Sequence, residues 1–262
     1  MNDRALEPVL LRTLEDGVAT LVLNRPRQYN ALSGALLDAL HAALDDVARD
    51  PAVRVVLVAG SGNAFCSGHD LKEMRAMADR AEVERLFTSC STLMQKLVAL
   101  PQPVIAVVNG LATAAGCQLV AQCDLAVASD HARFAASGIN LGLFCSTPAV
   151  ALTRNLGRKR AAEMLFTGEF IDAEQALDWG LLNRVVPPER VMETALELAN
   201  TLKAKPRESL AAGKALFYRQ LEAPLAAAYA DASRTITANM DTDVAREGVD
   251  AFFAKRSPRW SE

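Results

Sequence analysis

Three stretches of this chain are apolar almost without interruption: Val53–Ala59 (VRVVLVA), Val104–Val108 (VIAVV) and Asp124–Ala128 (DLAVA). A strand with one wet face alternates polar and apolar residues, so a strand that is apolar throughout must be covered on both faces. Helices do that covering. The segment Ser33–Arg49 supplies one, with Leu36, Leu40, Leu44 and Val47 on a single face, Ser33 as its N-cap and Pro51 just past its end. An earlier strand, Val18–Leu23, is broken by Asn24-Arg25-Pro26. Strands alternating with helices predict an α/β fold of βαβ units with right-handed crossovers.

The pattern changes after about Gly157. Asp172 and Gln175 have the spacing of a capping box, opening a helix that Trp179-Gly180 closes, and Leu182–Val186 is at most a short strand. From Pro188 onward every segment reads as helix: Val191, Ala195, Leu198 and Leu202 on one face, then Ser209–Tyr218, an Ala-rich stretch over Leu221–Met240, and roughly Val244–Lys255. The expected division is an α/β core over residues 1–190 and an all-helical region over 191–262 that packs on the core or on a neighbouring subunit.

Composition narrows the function. A formal net charge of −3 over 262 residues argues against nucleic acid as the main partner, since phosphate neutralisation needs a basic face. No stretch reaches 18 uninterrupted apolar residues, so no membrane partner is expected. Asp3, Glu7, Glu15 and Asp16 near the start argue against a secretory or transit leader. Five cysteines (Cys66, Cys90, Cys117, Cys123, Cys145) without a C-x-x-C pair predict reduced thiols in a cytoplasmic protein, with no disulfide framework and no structural zinc.

Two glycine-bearing turns, Gly60–Met74 and Asn109–Leu119, each follow a buried strand and open a helix. Such turns leave backbone N–H groups free at the positive end of a helix dipole, suited to an anion or to a carbonyl oxygen gaining charge. Taken alone, glycine turns equally serve tight geometry. Neither segment is a G-x-G-x-x-G or P-loop motif, and no G-x-S-x-G elbow is present.

The residues also resemble a family. Asn24-Arg25-Pro26 with Asn30-Ala31-Leu32, Ala64-Phe65-Cys66-Ser67-Gly68-His69-Asp70-Leu71, Pro103 to Gly110, Gly116-Cys117-Gln118-Leu119, Cys123-Asp124 and Leu165-Phe166-Thr167-Gly168 are similar, in order, to the enoyl-CoA hydratase/isomerase (crotonase) superfamily. The likeness runs from about Val18 to Arg256. The His-Asp-Leu-Lys-Glu-Met turn, Ala-Thr-Ala-Ala-Gly-Cys-Gln-Leu and Leu-Phe-Cys-Ser-Thr-Pro further resemble a subgroup described as enoyl-CoA hydratase domain-containing proteins. The resemblance implies a spiral of ββα units with a C-terminal all-helical trimerisation region, assembled as a homotrimer or a dimer of trimers. It implies an acyl-CoA substrate, with coenzyme A carried by the substrate and not held as a cofactor. The thioester carbonyl is then polarised by the backbone N–H groups of His69 and Ala115. Coenzyme A and the acyl chain are implied to meet Arg27, Ala64, Phe65, Ser67, Asp70, Leu71, Gly116, Ser137 and Cys145, with Phe252, Lys255 and Arg256 reaching in from the tail, sometimes from a neighbouring subunit.

The family's two catalytic carboxylates fall on Gln118 and Gly138 here. An amide does not exchange protons near neutral pH and glycine has no side chain, so efficient hydration by the usual route is not expected. Other groups admit ordinary roles: His69 as a solvated or packed ring, Asp70 as a first-turn acid, Cys145 as an inert thiol, and His41 and His131 away from chemistry. Three readings share the pocket: an enzyme with an unidentified acid or base, a non-catalytic acyl-CoA binder, and a thioesterase or decarboxylase variant.

Overall fold

The computed structural model describes residues 7–260; Asp3, part of the leader argument, lies outside them. The chain begins with a hairpin, β1 (Leu10–Glu15) antiparallel to β2 (Val18–Leu23), turned at Asp16-Gly17 with φ of 47° and 75°. Two residues in the left-handed region are what a tight hairpin requires, and Asp-Gly accepts that geometry readily. Next comes α1 (Gly34–Arg49), where the Ser33 side chain accepts the Leu36 N–H and the expected face is buried.

From there the chain repeats one unit: a long strand, a short strand and a helix. β3 (Val55–Gly60) and β4 (Ala64–Cys66) lead to α2 (Leu71–Ala76) and α3 (Arg80–Ala99). β5 (Val104–Val108) and β6 (Leu111–Thr113) lead to α4 (Ala115–Gln122). β7 (Leu125–Ser129) and β8 (Arg133–Ala135) lead through a 3-10 turn at Ser137–Leu141 to α5 (Ser146–Asn155) and α6 (Arg158–Thr167). β9 (Ile171–Asp172), α7 (Ala173–Trp179) and β10 (Arg184–Val186) finish the spiral, and Asp172 and Gln175 form the expected capping box. The long strands, joined by the short β10 at one edge, make a six-stranded sheet in the order β1-β2-β3-β5-β7-β10, parallel apart from the first pair. The short ones make a second sheet in the order β4-β6-β8-β9. This is the ββα spiral implied by the resemblance.

The apolar runs are covered on both faces, as their composition demands. Val56, Val58, Ala106 and Val108 enter the main core between the sheets and helices, while Val55, Leu57, Ile105 and Val107 face α8 (Val191–Lys203) through Val191, Ala195 and Ala199. Beyond α8 follow α9 (Arg207–Leu221), α10 (Leu225–Met240) and α11 (Asp243–Phe253). A buried polar knot docks α9: Asp124, just ahead of β7, accepts from Lys214 Nζ (2.6 Å), Tyr218 Oη (2.7 Å) and the Val104 N–H (2.7 Å).

Candidate functional site

The first turn is held by the Asn24–Leu32 segment. Asn30 is fully buried at φ 54°; its Oδ1 accepts the Arg25 N–H, and its Nδ2 donates to the carbonyls of Ser61 (2.9 Å) and Ala64 (2.8 Å). The Arg25 guanidinium donates to the Ala31 carbonyl (2.6 Å) and to Asp70 Oδ2 (2.9 Å). Asp70 Oδ1 accepts the Lys72 and Glu73 N–H groups, capping α2. Burial alone would raise the Asp70 carboxyl, but Arg25 and the two backbone donors outweigh it and hold it below its ordinary value. Asp70 is therefore an engaged carboxylate and no proton acceptor near neutrality.

The second turn packs directly on the first. β4 pairs β6 in parallel, with Cys66 beside Ala112, and Thr113 Oγ1 donates to the Ser67 carbonyl (3.0 Å). Gly68 sits at φ 90°, where a methyl group would stand 3.0 Å from Ala114 Cβ, 3.1 Å from the Thr113 oxygen and 3.2 Å from the Ala115 nitrogen. A methyl at Gly116 would overlap the Cys66 carbonyl, so only glycine lets α4 start this close to β4. Ala114, at φ 49°, turns the chain into α4 while its N–H donates to the Ala135 carbonyl (2.9 Å).

Two backbone N–H groups flank this packing, those of His69 and Ala115. Ala115 is the first residue of α4, so its N–H has no acceptor within the helix. At His69, Leu32 bonds the flanking groups, taking the Gly68 carbonyl and the Asp70 N–H, which leaves the His69 N–H directed away from that bridge. Both residues line one cavity of about 860 Å³, together with Ser67, Thr113 and apolar side chains of α2, α3 and the 138–148 segment.

Of the expected site residues, Arg27, Ser67, His69, Asp70, Leu71, Ala115, Ser137, Gly138 and Cys145 line this cavity. Ala64 and Phe65 do not; both are buried in β4. Gly116 is packed under Cys66, and Gln118 is 3% exposed inside α4 with its Oε1 lacking a protein partner. Phe252 borders a different hollow, with Pro206 and Trp260, and Lys255 follows α11 at φ 52°. Neither lines the cavity of its own chain. Its apolar wall includes Met74, Val83, Phe87, Leu143 and Phe144, which no catalytic or binding motif singles out as site residues.

Gly138 is enclosed. A Cβ there would lie 2.6 Å from the Leu143 carbonyl oxygen and 2.8 Å from Cys145 Sγ, which accepts the Gly138 N–H at 3.3 Å. Burial pushes the Cys145 thiol above its ordinary value, which makes it a poor nucleophile. The His69 ring is packed edge-on to Phe87 at 5.0 Å, and burial lowers its pKa to about 4. The ring is thus neutral at physiological pH, and packed, not solvated. His41 bonds Ser89 between α1 and α3, and His131 is a surface residue beside Asp130.

An Enoyl-CoA hydratase/isomerase family model matches residues 13–262. The rat protein named enoyl-CoA hydratase domain-containing protein 3, mitochondrial, is 47% identical over 97% of this chain and 85% of its own length. A crystal structure of an enoyl-CoA hydratase from Mycobacterium smegmatis is 56% identical, covers 97% of this chain and 99% of its own, and superposes with a TM-score of 0.95. The crystal structure of human enoyl-CoA hydratase domain-containing protein 3 is 44% identical over 96% of this chain and all of its own, with a TM-score of 0.93. The expectation of a cytoplasmic protein does not stand, because the rat relative and its mouse, frog, human and zebrafish counterparts are all named mitochondrial. The five buried free thiols give no address.

Proposed function

The chain belongs to the enoyl-CoA hydratase/isomerase family, and from that premise we propose that the cavity takes an acyl-CoA thioester and polarises its carbonyl through the His69 and Ala115 N–H groups. The observation that supports this reading is the packing of Gly68, the residue before His69, against Thr113, Ala114 and the Ala115 nitrogen, at a cavity that both His69 and Ala115 line. Donors fixed in place before charge develops are worth most where water is excluded, and the start of α4 adds its dipole.

Gln118 and Gly138 stand where hydratases of the family are expected to hold their carboxylates. Each missing acid or base costs about 10²–10⁴-fold in rate. Three titratable groups at the cavity are poor replacements: Asp70 is engaged by Arg25, the Cys145 thiol is raised and the His69 ring is a weak base. These facts favour a protein that binds and polarises acyl-CoA but hydrates 2-enoyl-CoA poorly, with the non-catalytic binder ahead of the thioesterase or decarboxylase variant. Titration calorimetry with crotonyl-CoA and a short acyl-CoA panel, with products followed by mass spectrometry, tests it. Binding with hydration at least about a hundredfold below the 1–10³ s⁻¹ of ordinary enzymes is expected. No binding to any thioester removes the reading, and ordinary turnover removes the assignment of Gln118 and Gly138.

The same reading includes a homotrimer or a dimer of trimers, supported by the exposed Phe217, Leu221, Leu225, Tyr229, Ile236 and Met240 on α9 and α10. In such an assembly Phe252, 78% exposed, and Lys255 meet the ligand of a neighbouring subunit. Light scattering decides the assembly, and a monomer contradicts it.

A further inference from the structure

One polar side chain at the cavity has no task in the reading above. His69 lends its backbone N–H to the polarising pair, and its imidazole stands at the same wall, edge-on to Phe87. Both ring nitrogens are shut from solvent, and neither has a hydrogen-bond partner in the protein. Buried polar atoms are nearly always paired, and leaving one unpaired costs its full desolvation. Phe87 packs on it edge-on and offers no acceptor or donor, the Leu32 backbone group facing it falls short of hydrogen-bond geometry, and Asp70 next to it in sequence is committed to Arg25 and to the start of α2.

We propose that the His69 imidazole swings off Phe87 into the cavity and hydrogen-bonds a neutral oxygen substituent, hydroxyl or keto, near the thioester end of the acyl chain, so that the site selects oxygenated acyl-CoA thioesters over plain saturated ones. The inference rests on the acyl-CoA reading of this cavity. One residue carries both the N–H for the thioester oxygen and the ring, so the group read by the ring lies within the first few carbons of the carbonyl. The swing gives up one aromatic edge contact and ends the isolation of a ring nitrogen. Burial keeps the ring uncharged at neutral pH, so one nitrogen donates and the other accepts. A hydroxyl satisfies either nitrogen and a keto oxygen takes the N–H.

The test is the ratio of dissociation constants for butyryl-CoA and 3-hydroxybutyryl-CoA, measured by calorimetry on the full chain. The wild type is expected to favour the hydroxy thioester by about five- to tenfold, the worth of one added hydrogen bond between neutral groups. His69→Leu brings the ratio to about one, and His69→Gln, a neutral donor and acceptor, retains most of it. A ratio, unlike a single affinity, cancels general damage to the pocket. A wild-type ratio near one with butyryl-CoA still bound overturns the role of the ring and leaves the acyl-CoA reading intact. An undiminished ratio in His69→Leu also overturns it. If neither thioester binds, the acyl-CoA reading falls and this inference falls with it. Should the Leu variant not fold, the wild-type and Gln ratios decide the question.

Discussion

Replacing Gly68 with alanine strikes the contact that sets the two N–H groups side by side. The residue lies at φ 90°, where a side chain is strained, and the new methyl meets Ala114 Cβ at 3.0 Å, the Thr113 oxygen at 3.1 Å and the Ala115 nitrogen at 3.2 Å. None of these is the end of a flexible side chain, so the turns themselves must part. Left-handed strain of on the order of 1 kcal/mol plus overpacking of about 1–3 kcal/mol gives a stability loss of about 2–4 kcal/mol. Urea unfolding reads that as a lower midpoint at an unchanged slope. The polarisation suffers more: a displaced donor in such a pair costs about 10²–10³-fold in any reaction that builds charge on the oxygen. In the infrared spectrum of a bound thioester labelled with ¹³C at the carbonyl, the band should move back toward its position in water. A stability loss well under about 1 kcal/mol, together with an unmoved band, would refute the claim that this contact sets the pair.

Restoring carboxylates at Gln118 and Gly138 together meets unequal obstacles. Gln118→Glu is nearly isosteric, but Gly138→Glu drives a Cβ to 2.6 Å from the Leu143 oxygen and 2.8 Å from Cys145 Sγ. The double variant should lose about 1–3 kcal/mol, with hydration of crotonyl-CoA rising only after Cys145→Ala makes room; no rise in the triple variant would show that these are not the carboxylate positions. Lys214→Met leaves Asp124 without its cation in a pair whose lysine is 7% exposed, and a loss of about 3–5 kcal/mol is expected in urea unfolding; a loss near zero contradicts the docking role of the knot. The His69 pKa is depressed to about 4 from 6.5, so the unfolded chain binds the proton first. Its contribution is complete above pH 6.5 and falls as pH drops toward 4, costing about 2 kcal/mol between pH 6.5 and 5; His69→Gln should flatten that slope, and an unchanged slope means the ring titrates normally.

The apolar runs, the capped helices and the order of the elements were legible because each rests on local chemistry. Ser33 and the Asp172–Gln175 box cap as their spacing predicts. The first strand was not seen, although Asp16-Gly17 is the dipeptide that a tight hairpin favours; Leu10–Glu15 is mostly exposed and carries little hydrophobic pattern. The three-residue strands β4, β6 and β8 are too short for periodicity to register, yet they are what brings the two turns together. α3 is legible in Leu86, Cys90, Leu93 and Leu97 on one face, but nothing local marks its Val83 and Phe87 as cavity wall. The partners of Asp124 lie 90 and 94 residues away, beyond the reach of any local signal. At the site, the residue types at 118 and 138 were plain from the sequence. That Gly138 is walled in by Leu143 and Cys145 was not, since it depends on the backbone path of the following loop.

The carbonyl stretching frequency of a ¹³C-labelled acyl-CoA bound to the wild-type protein tests polarisation by His69 and Ala115 most directly. A pair of fixed donors weakens the C=O bond, so a band moved to lower wavenumber on binding is predicted. A thioester that binds the protein with its carbonyl band where it lies in water would contradict it.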